Sequence, residues 1–384
     1  ACADRNLHRG IFGMAANKDE LVSIAHRHTI KKFELIESYV AEWAQKLLQN
    51  QYCDELVFID CMCNSGVYKD ENGDEVYGTP IRIARLLRDI SGQYPTKKIV
   101  LFFNDLSSEK IDLLKNKIPA DTDRFTIRSS VGDGNELLRM LSPWLPKVKG
   151  MHYLLLYDPY DASIDWDALQ PFLNNWGEVI INHMVSDTVR AVGQAKKADA
   201  VGKYEQTYQA SQDDLLQLGN DKKAYEQKLE QIIMSLRASH LRNYHIAAFP
   251  FFNRRNTMLY NLIHCTGHIE GFRLYKRVAW KTFGGKSSTK DTHGRQDQIL
   301  LDFDCSGMLR TNSDENCYYV KDIAEYLQNK FSGCADVLLA YMWSALDAHP
   351  FFPSDGYRNE IKNELKRTYG AKIGRDTITF TGKR

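Results

Sequence analysis

The sequence predicts a doubly wound α/β fold, a mostly parallel sheet with a helical insertion and a small C-terminal module. Three observations carry this. Five short apolar runs recur through the first half of the chain, each ending at or followed closely by an acidic or amide residue. Stretches with apolar residues at helical spacing separate them. Strand and helix alternating this regularly imply parallel strands joined by right-handed crossovers.

Taken in order, residues 19–50 read as a leading helix, because Ile30, Phe33, Ile36, Tyr39, Val40, Trp43 and Leu47 recur at helical spacing and Thr29 is placed to cap it. Residues 56–59 form a buried strand ending in Asp60, after which a Cys/Asn/Ser/Gly turn and a polar loop run to Thr79. Pro80 opens the next helix, where its missing N–H leaves nothing unpaired. Strands over 99–103, 125–128, 153–157 and 179–181 follow, with helices between them. They lead into Asn104-Asp105, Gly132-Asp133-Gly134, Asp158-Pro159-Tyr160-Asp161 and Asn182-His183, and Ser107 and Ser108 can cap the helix after the first of these.

From about 190 to 242 the composition turns to Gln, Lys, Asp and Glu, which predicts helices inserted at the sheet edge as an arm over the pocket. Residues 258–264 read as a late strand and a helix runs on through Trp280. The Gly-rich polar stretch 284–297 marks a boundary. Beyond it, 320–331, 337–346 and 357–369 read as short helices before a strand pair near 378–380, a winged-helix-like pattern. The division is then a lead-in over 1–50, a sheet domain over 51–285 and the C-terminal module over 298–384.

Lys plus Arg (50) nearly balance Asp plus Glu (49), so any nucleic-acid site has to be a local patch. With 43% apolar and 26% charged residues the chain has a globular composition. The eight cysteines are scattered and give no zinc or disulfide pattern. No stretch approaches the roughly 18 apolar residues of a membrane span, and the start lacks the apolar core of a signal peptide, so a cytoplasmic protein without membrane contact is expected.

In an open α/β sheet the ligand lies beyond the carboxyl ends of the strands, and here Asp60, Asp105, Asp133 and Asp158 make that rim acidic. The carboxylate after the second strand can accept from both hydroxyls of an adenosyl ribose and the next from an adenine amine, while Gly66 lets backbone approach the ligand. Each Asp can instead be a helix cap. The turn 61–66 holds one glycine, which disfavours a dinucleotide. Asp158-Pro159-Tyr160 can present a carboxylate and a carbonyl to an exocyclic amine, with Tyr160 stacked on the base; the alternative is a structural turn with Asp161 as a cap. His28 and Lys32, one helical turn apart, can reach an anionic group, or simply form a solvated face. His183 can orient a substrate or be a buried core histidine. Arg254 and Arg255, with the lysines of 276–290 and Phe251, Phe252, Phe272, Tyr275 and Trp280 nearby, form the best candidate nucleic-acid patch, the alternative being an ordinary amphipathic surface.

Together, His28-Thr29-Ile30-Lys31-Lys32, Phe58-Ile59-Asp60 through Gly66, Gly78-Thr79-Pro80, Asp158-Pro159-Tyr160 and the segment 262–280 resemble the bacterial three-Cys-motif partner family, a methyltransferase-like group. The Asp-led turn, the Gly-Thr-Pro helix start and the Asp-Pro turn also look like the J-type ribosomal RNA adenine methyltransferases. The resemblance implies a Rossmann-like class I methyltransferase sheet. It implies S-adenosylmethionine bound by Asp60, Cys61, Gly66, Asp105, Asp133 and Gly134, with His28 and Lys32 in reach, and a catalytic turn of Asp158, Pro159 and Tyr160. It further implies nucleic acid as substrate and a partner protein whose three-cysteine motif is the sort that holds an iron–sulfur cluster, in a modification or defence system. Two departures stand out: Asn64 occupies a position that is glycine in the family turn, and Tyr160 and Asp161 replace the second proline and the aromatic of the amino-methyltransferase signature. Two rival readings are a non-catalytic binding subunit and a nuclease that uses the acidic rim for a divalent metal.

Overall fold

The computed structural model describes residues 21–160, 162–186, 188, 192, 198–291 and 317–382. Asp161, the first part of the lead-in, the start of the insertion, the later part of the expected boundary stretch and the first residues of the C-terminal module lie outside the described residues.

In chain order the elements are β1 (Ser23–Ile24), α1 (Arg27–Leu48), β2 (Glu55–Asp60), β3 (Val67–Lys69), β4 (Glu75–Tyr77), α2 (Thr79–Ser91), β5 (Lys98–Asp105), α3 (Ser108–Lys115), β6 (Phe125–Val131), α4 (Gly134–Leu141), β7 (Met151–Tyr157), α5 (Trp166–Leu169) and β8 (Gly177–His183). Then come α6 (Ala198–Tyr208), α7 (Gln212–Gln217), α8 (Lys222–Leu236), β9 (His245–Phe252), β10 (Met258–Thr266) and α9 (Ile269–Thr282). The C-terminal module holds α10 (Val320–Lys330), β11 (Val337–Leu338), α11 (Leu339–Ala345), α12 (Arg358–Tyr369), β12 (Lys372–Ile373) and β13 (Thr377–Thr379).

The central sheet runs β6-β5-β2-β7-β8-β10-β9. β6, β5, β2, β7 and β8 are parallel, and β10 lies antiparallel to both of its neighbours. With helices on both faces and no closure into a barrel, this is a doubly wound, Rossmann-like α/β fold. The chain moves outward from β2 to β6 and then returns to β7, so the strand order reverses between β2 and β7. The crevice beyond their carboxyl ends is where such a sheet binds its ligand.

Alternation along the strands divides the interior into two cores. Leu56 and Phe58 of β2 face one core with α1, α2 and α9, whereas Val57 and Ile59 face the other with α4 and α5. That second core also contains Tyr208, Leu215, Tyr225, Leu229 and Ile233, so the insertion helices cover a face of the sheet instead of forming an arm at its edge. The residues that decide this, Tyr225, Leu229, Ile232 and Ile233, sit at helical spacing within a polar composition.

Three further expectations change. α1 starts at Arg27 with His26 as its N-cap, not Thr29, because the preceding residues pair with β3 and the Ala25 amide donates to the Lys69 carbonyl at 2.7 Å. The loop before Thr79 contains the β3–β4 hairpin, whose tip is set by Gly73 at φ +91° and by Asp70 Oδ1 accepting from the amides of Asn72 (2.8 Å) and Asp74 (2.9 Å). β9 is an additional strand; its apolar run is interrupted by Pro250, which the sheet accommodates because β9 is an edge.

The C-terminal module carries a small antiparallel sheet in the order β11-β13-β12. α9 anchors it: Arg273 pairs with Asp347, Lys276 Nζ donates to the carbonyls of Leu346 (2.9 Å) and His349 (2.8 Å), and Trp280 Nε1 donates to Phe351 O (2.7 Å). Among the described residues, no helix is long and apolar enough to cross a membrane.

Candidate functional site

Asp60 ends β2 at the switch point and is buried, and its Oδ1 has no hydrogen-bond partner. Burial is the main force pushing its carboxyl up to about 8, with the charges of Asp158 and Asp105 adding to it against the Met62 amide and Lys32. The following turn is fixed by Asn104, whose Nδ2 donates to the carbonyls of Cys61 (3.2 Å) and Gly132 (2.7 Å) while its own carbonyl accepts from the Cys63 amide at 2.8 Å. Asn104 thus ties the ligand turn to the loop after β6. Asn64, where the family turn has glycine, has φ +58°. Asparagine is among the few residues that tolerate this left-handed region, so the backbone shape survives the loss of the glycine. Gly66 (φ +69°) has no room for a side chain, since a Cβ there would lie 2.9 Å from Pro80 and Ile81 at the start of α2.

Asp105 at the end of β5 is buried and fully engaged. Its Oδ2 accepts from the Asn64 amide at 2.9 Å and from the Tyr160 hydroxyl, and its Oδ1 accepts from the Ser107 amide at 3.0 Å. Tyr160 therefore lies across the expected ribose carboxylate, and burial together with Asp105 pushes its phenol well above the ordinary range. Asp133 is exposed and caps α4, with Oδ1 accepting from the amides of Asn135 (2.8 Å) and Glu136 (3.1 Å). Next to it, Gly134 lets α4 approach the turn: a Cβ would fall 2.5 Å from the Cys61 carbonyl.

Asp158 is held on both sides, Oδ2 by Lys32 Nζ at 2.6 Å and Oδ1 by Asn182 Nδ2 at 2.6 Å. Pro159 is buried behind it. Lys32 thus joins α1 to the Asp-Pro turn. His28 packs on Tyr260, whose hydroxyl donates to the His28 carbonyl at 3.3 Å. Burial, then the neighbouring charges of His26 and Lys32, lower His28 to about 4, so it is a neutral ring at pH 7.

Asp60, Cys61, Gly66, Asp105, Asp133, Gly134, Asp158, Pro159, Tyr160, Lys32 and His28 all gather near the carboxyl ends of β2, β5, β6 and β7 or on the helix beside them. His183 does not join them. It points into the insertion core, where Nε2 shares a hydrogen bond with the Tyr208 hydroxyl at 2.5 Å and burial lowers it to about 4. Its neighbour Asn182, on the opposite side of β8, is the residue that reaches the site. Arg254 and Arg255 are exposed in the β9–β10 turn, and Arg254 pairs with Glu71 of the β3–β4 hairpin. The aromatic patch expected around them is not a surface: Phe251, Phe252, Phe272, Tyr275 and Trp280 are core residues and Lys276 is buried. Helical and strand periodicity gives each residue a face but does not say which faces another element covers. Among the described residues, no three His, Cys, Asp or Glu side chains are placed to hold a metal ion. The Cys61 and Cys63 thiols are buried and pushed up by that burial.

No protein-family model matches the sequence, and no curated protein does. Similar solved structures include a Legionella pneumophila protein at 11% identity, covering 63% of this chain and 86% of that one, with a TM-score of 0.37. Human methyltransferase-like protein 13 in complex with S-adenosylhomocysteine is 10% identical, covering 71% and 99%, with a TM-score of 0.32. Loganic acid methyltransferase with the same ligand is 10% identical, covering 67% and 85%, with a TM-score of 0.25.

Proposed function

We propose that this chain binds S-adenosylmethionine and serves as a methyltransferase on nucleic acid, beside a partner protein with a three-cysteine motif in a bacterial modification or defence system. The observation that carries the cofactor part is Asp60, a buried carboxyl at the switch point with one oxygen unpaired. A buried acceptor without a donor is costly, and an ammonium such as that of the cofactor's amino-acid end supplies the missing bond. Asp105 offers the ribose acceptor once Tyr160 moves off it, and the left-handed turn at Asn64 and Gly66 with Gly134 opposite leaves backbone to line the site. Bound there, the cofactor supplies an electrophilic methyl group. The nucleic-acid part is supported by the exposed Arg254 and Arg255 beside this rim and by the C-terminal module, whose three helices and β12–β13 hairpin follow a winged-helix connectivity.

A second reading, a binding subunit without turnover, is favoured by Asp158. Each of its oxygens already accepts a bond within the chain, from Lys32 and Asn182, so a target amine would have to share the carboxylate with both. Calorimetric titration with S-adenosylmethionine, paired with transfer of a labelled methyl group to RNA and DNA, tests both. Micromolar binding that Asp105→Ala abolishes, with transfer, supports the enzyme. Binding without transfer, including in the presence of the partner, selects the second reading. No binding to the wild type overturns the cofactor assignment.

A further inference from the structure

We infer that Glu71, in the tip of the β3–β4 hairpin, stands in for a substrate phosphate, and that the residues holding it, His26 and Arg254, are a phosphate site for single-stranded nucleic acid at the mouth of the cleft. The inference rests on the nucleic-acid part of the proposed function and not on its cofactor part. Three elements meet at this carboxylate. His26, the N-cap of α1, shares a hydrogen bond from Nδ1 with Glu71 Oε1 at 3.1 Å, and Arg254 Nη2, in the β9–β10 turn, donates to Oε2. Each oxygen has its own partner on a separate element, as two oxygens of a phosphodiester would. The turn that presents Arg254 is fixed from within, since Asn253 Oδ1 accepts from the amides of Arg255 (2.9 Å) and Thr257 (3.0 Å). Arg255, next in that turn, and Lys69, two residues before Glu71, are exposed and have no carboxylate partner among the described residues.

The hairpin grows directly out of the turn after β2. The Gly78 amide closes its base on the Gly66 carbonyl at 2.7 Å, and Tyr68 of β3 lies near enough to Asp158 and Asp60 that their charges add to burial in pushing its phenol well above the ordinary range. From the Glu71 contact, rings step inward to the Asp-Pro turn. His26 stacks on His28 with centroids 5.8 Å apart, and His28 meets Tyr260 edge-on at 6.0 Å. Lys32 Nζ, 2.6 Å from Asp158 Oδ2, lies 5.5 Å from the centre of the Tyr260 ring. A strand whose phosphate sits between His26 and Arg254 therefore has flat rings along its way to Asp158. Unpaired bases can use such rings, whereas in a duplex each base is already stacked between its neighbours. An exposed carboxylate–guanidinium pair is weak, so a phosphate, which engages the Arg254 fork and His26 together, displaces Glu71 at little cost.

Fluorescence anisotropy of the full chain tests this with labelled single-stranded DNA and RNA of about 20 nucleotides, a duplex of equal length, and inorganic phosphate as competitor. The wild type should bind single strands more tightly than the duplex. Glu71→Gln, which removes the stand-in, should tighten single-strand binding roughly two- to fivefold, and Arg254→Gln should weaken it roughly tenfold. In Glu71→Gln/Arg254→Gln most of the gain should disappear, because the carboxylate then has no guanidinium to release. Glu75→Gln makes the same charge change on β4, where Glu75 pairs with Lys117 at 2.9 Å, and should leave binding unchanged. Inorganic phosphate should compete with the single strand on the wild type and much less on Arg254→Gln. Equal gains from Glu71→Gln and Glu75→Gln would reduce the effect to bulk charge and overturn the inference, as would a gain that survives the loss of Arg254 or tighter binding of the duplex. Oligonucleotide binding that none of the variants alters sinks the phosphate site and leaves the nucleic-acid reading standing. No oligonucleotide binding by either the wild type or Glu71→Gln sinks both.

Discussion

Asp60 and Tyr160 act at the same site in opposite ways, one leaving an acceptor open and the other closing one. The raised value of Asp60 means the folded protein keeps a proton that the unfolded chain has released between its ordinary value of 3.8 and about 8. Stability from this group is therefore complete at low pH and is lost as pH rises through that window. Asp60→Asn, which cannot ionise, should escape the loss. Urea denaturation at pH 5 and pH 8.5 checks this: the midpoint of the variant should improve relative to wild type at the higher pH, and a constant difference would mean that Asp60 titrates normally. Tyr160 donates to the Asp105 oxygen that a ribose hydroxyl would use. Removing the competitor with Tyr160→Phe should tighten S-adenosylmethionine by roughly two- to tenfold, the worth of one hydrogen bond, as read by calorimetry. Weaker binding would instead make the Tyr160 hydroxyl a cofactor contact.

The turn after β2 keeps its shape because three elements close on it, and the tightest approach is that of α4 at Gly134. A Cβ there would meet the Cys61 carbonyl at 2.5 Å, a distance that only backbone movement relieves. Gly134→Ala should lower stability by about 1–3 kcal/mol, as overpacking does, and weaken cofactor binding with it. Gly202→Ala in α6, where a Cβ meets nothing within 4 Å, should be neutral or stabilising by roughly 0.4–1 kcal/mol. Thermal denaturation of the two variants distinguishes a local clash from a general intolerance of glycine replacement. The same elements mark what a sequence makes visible. The parallel strands were legible because a buried strand reads as an unbroken apolar run, and their terminal carboxylates stood out against it. β9 was hidden by Pro250, and β3 and β4 are too short to establish an alternating pattern. Asp133 was legible as either a helix cap or a ligand contact, two roles that use the same residue, and the structure shows it capping α4. The pairing of Asp158 with Lys32 and Asn182 brings together residues 126 and 24 positions apart, which only the folded sheet with α1 packed on it juxtaposes.

At the scale of the molecule, the C-terminal module and the sheet share one core. Ile323, Leu327, Met342, Trp343, Ile361, Leu365 and Ile378 belong to the same buried cluster as Tyr39, Trp43, Phe249 and Trp280. The α9 contacts add directional bonds across the junction, with the Arg273 guanidinium gripping both oxygens of Asp347 at 3.0 and 2.5 Å. A continuous apolar core with a charge-assisted clamp makes separate unfolding of the module unfavourable, because it would expose apolar surface on both sides at once. Native-state hydrogen exchange should therefore give amides in α12 and in β8 the same opening free energy at the global limit. Asp347→Ala, by leaving Arg273 without its partner, should lower both together by about 1–3 kcal/mol. If α12 exchanged early in this variant while β8 stayed protected, the module would be an independently folding unit.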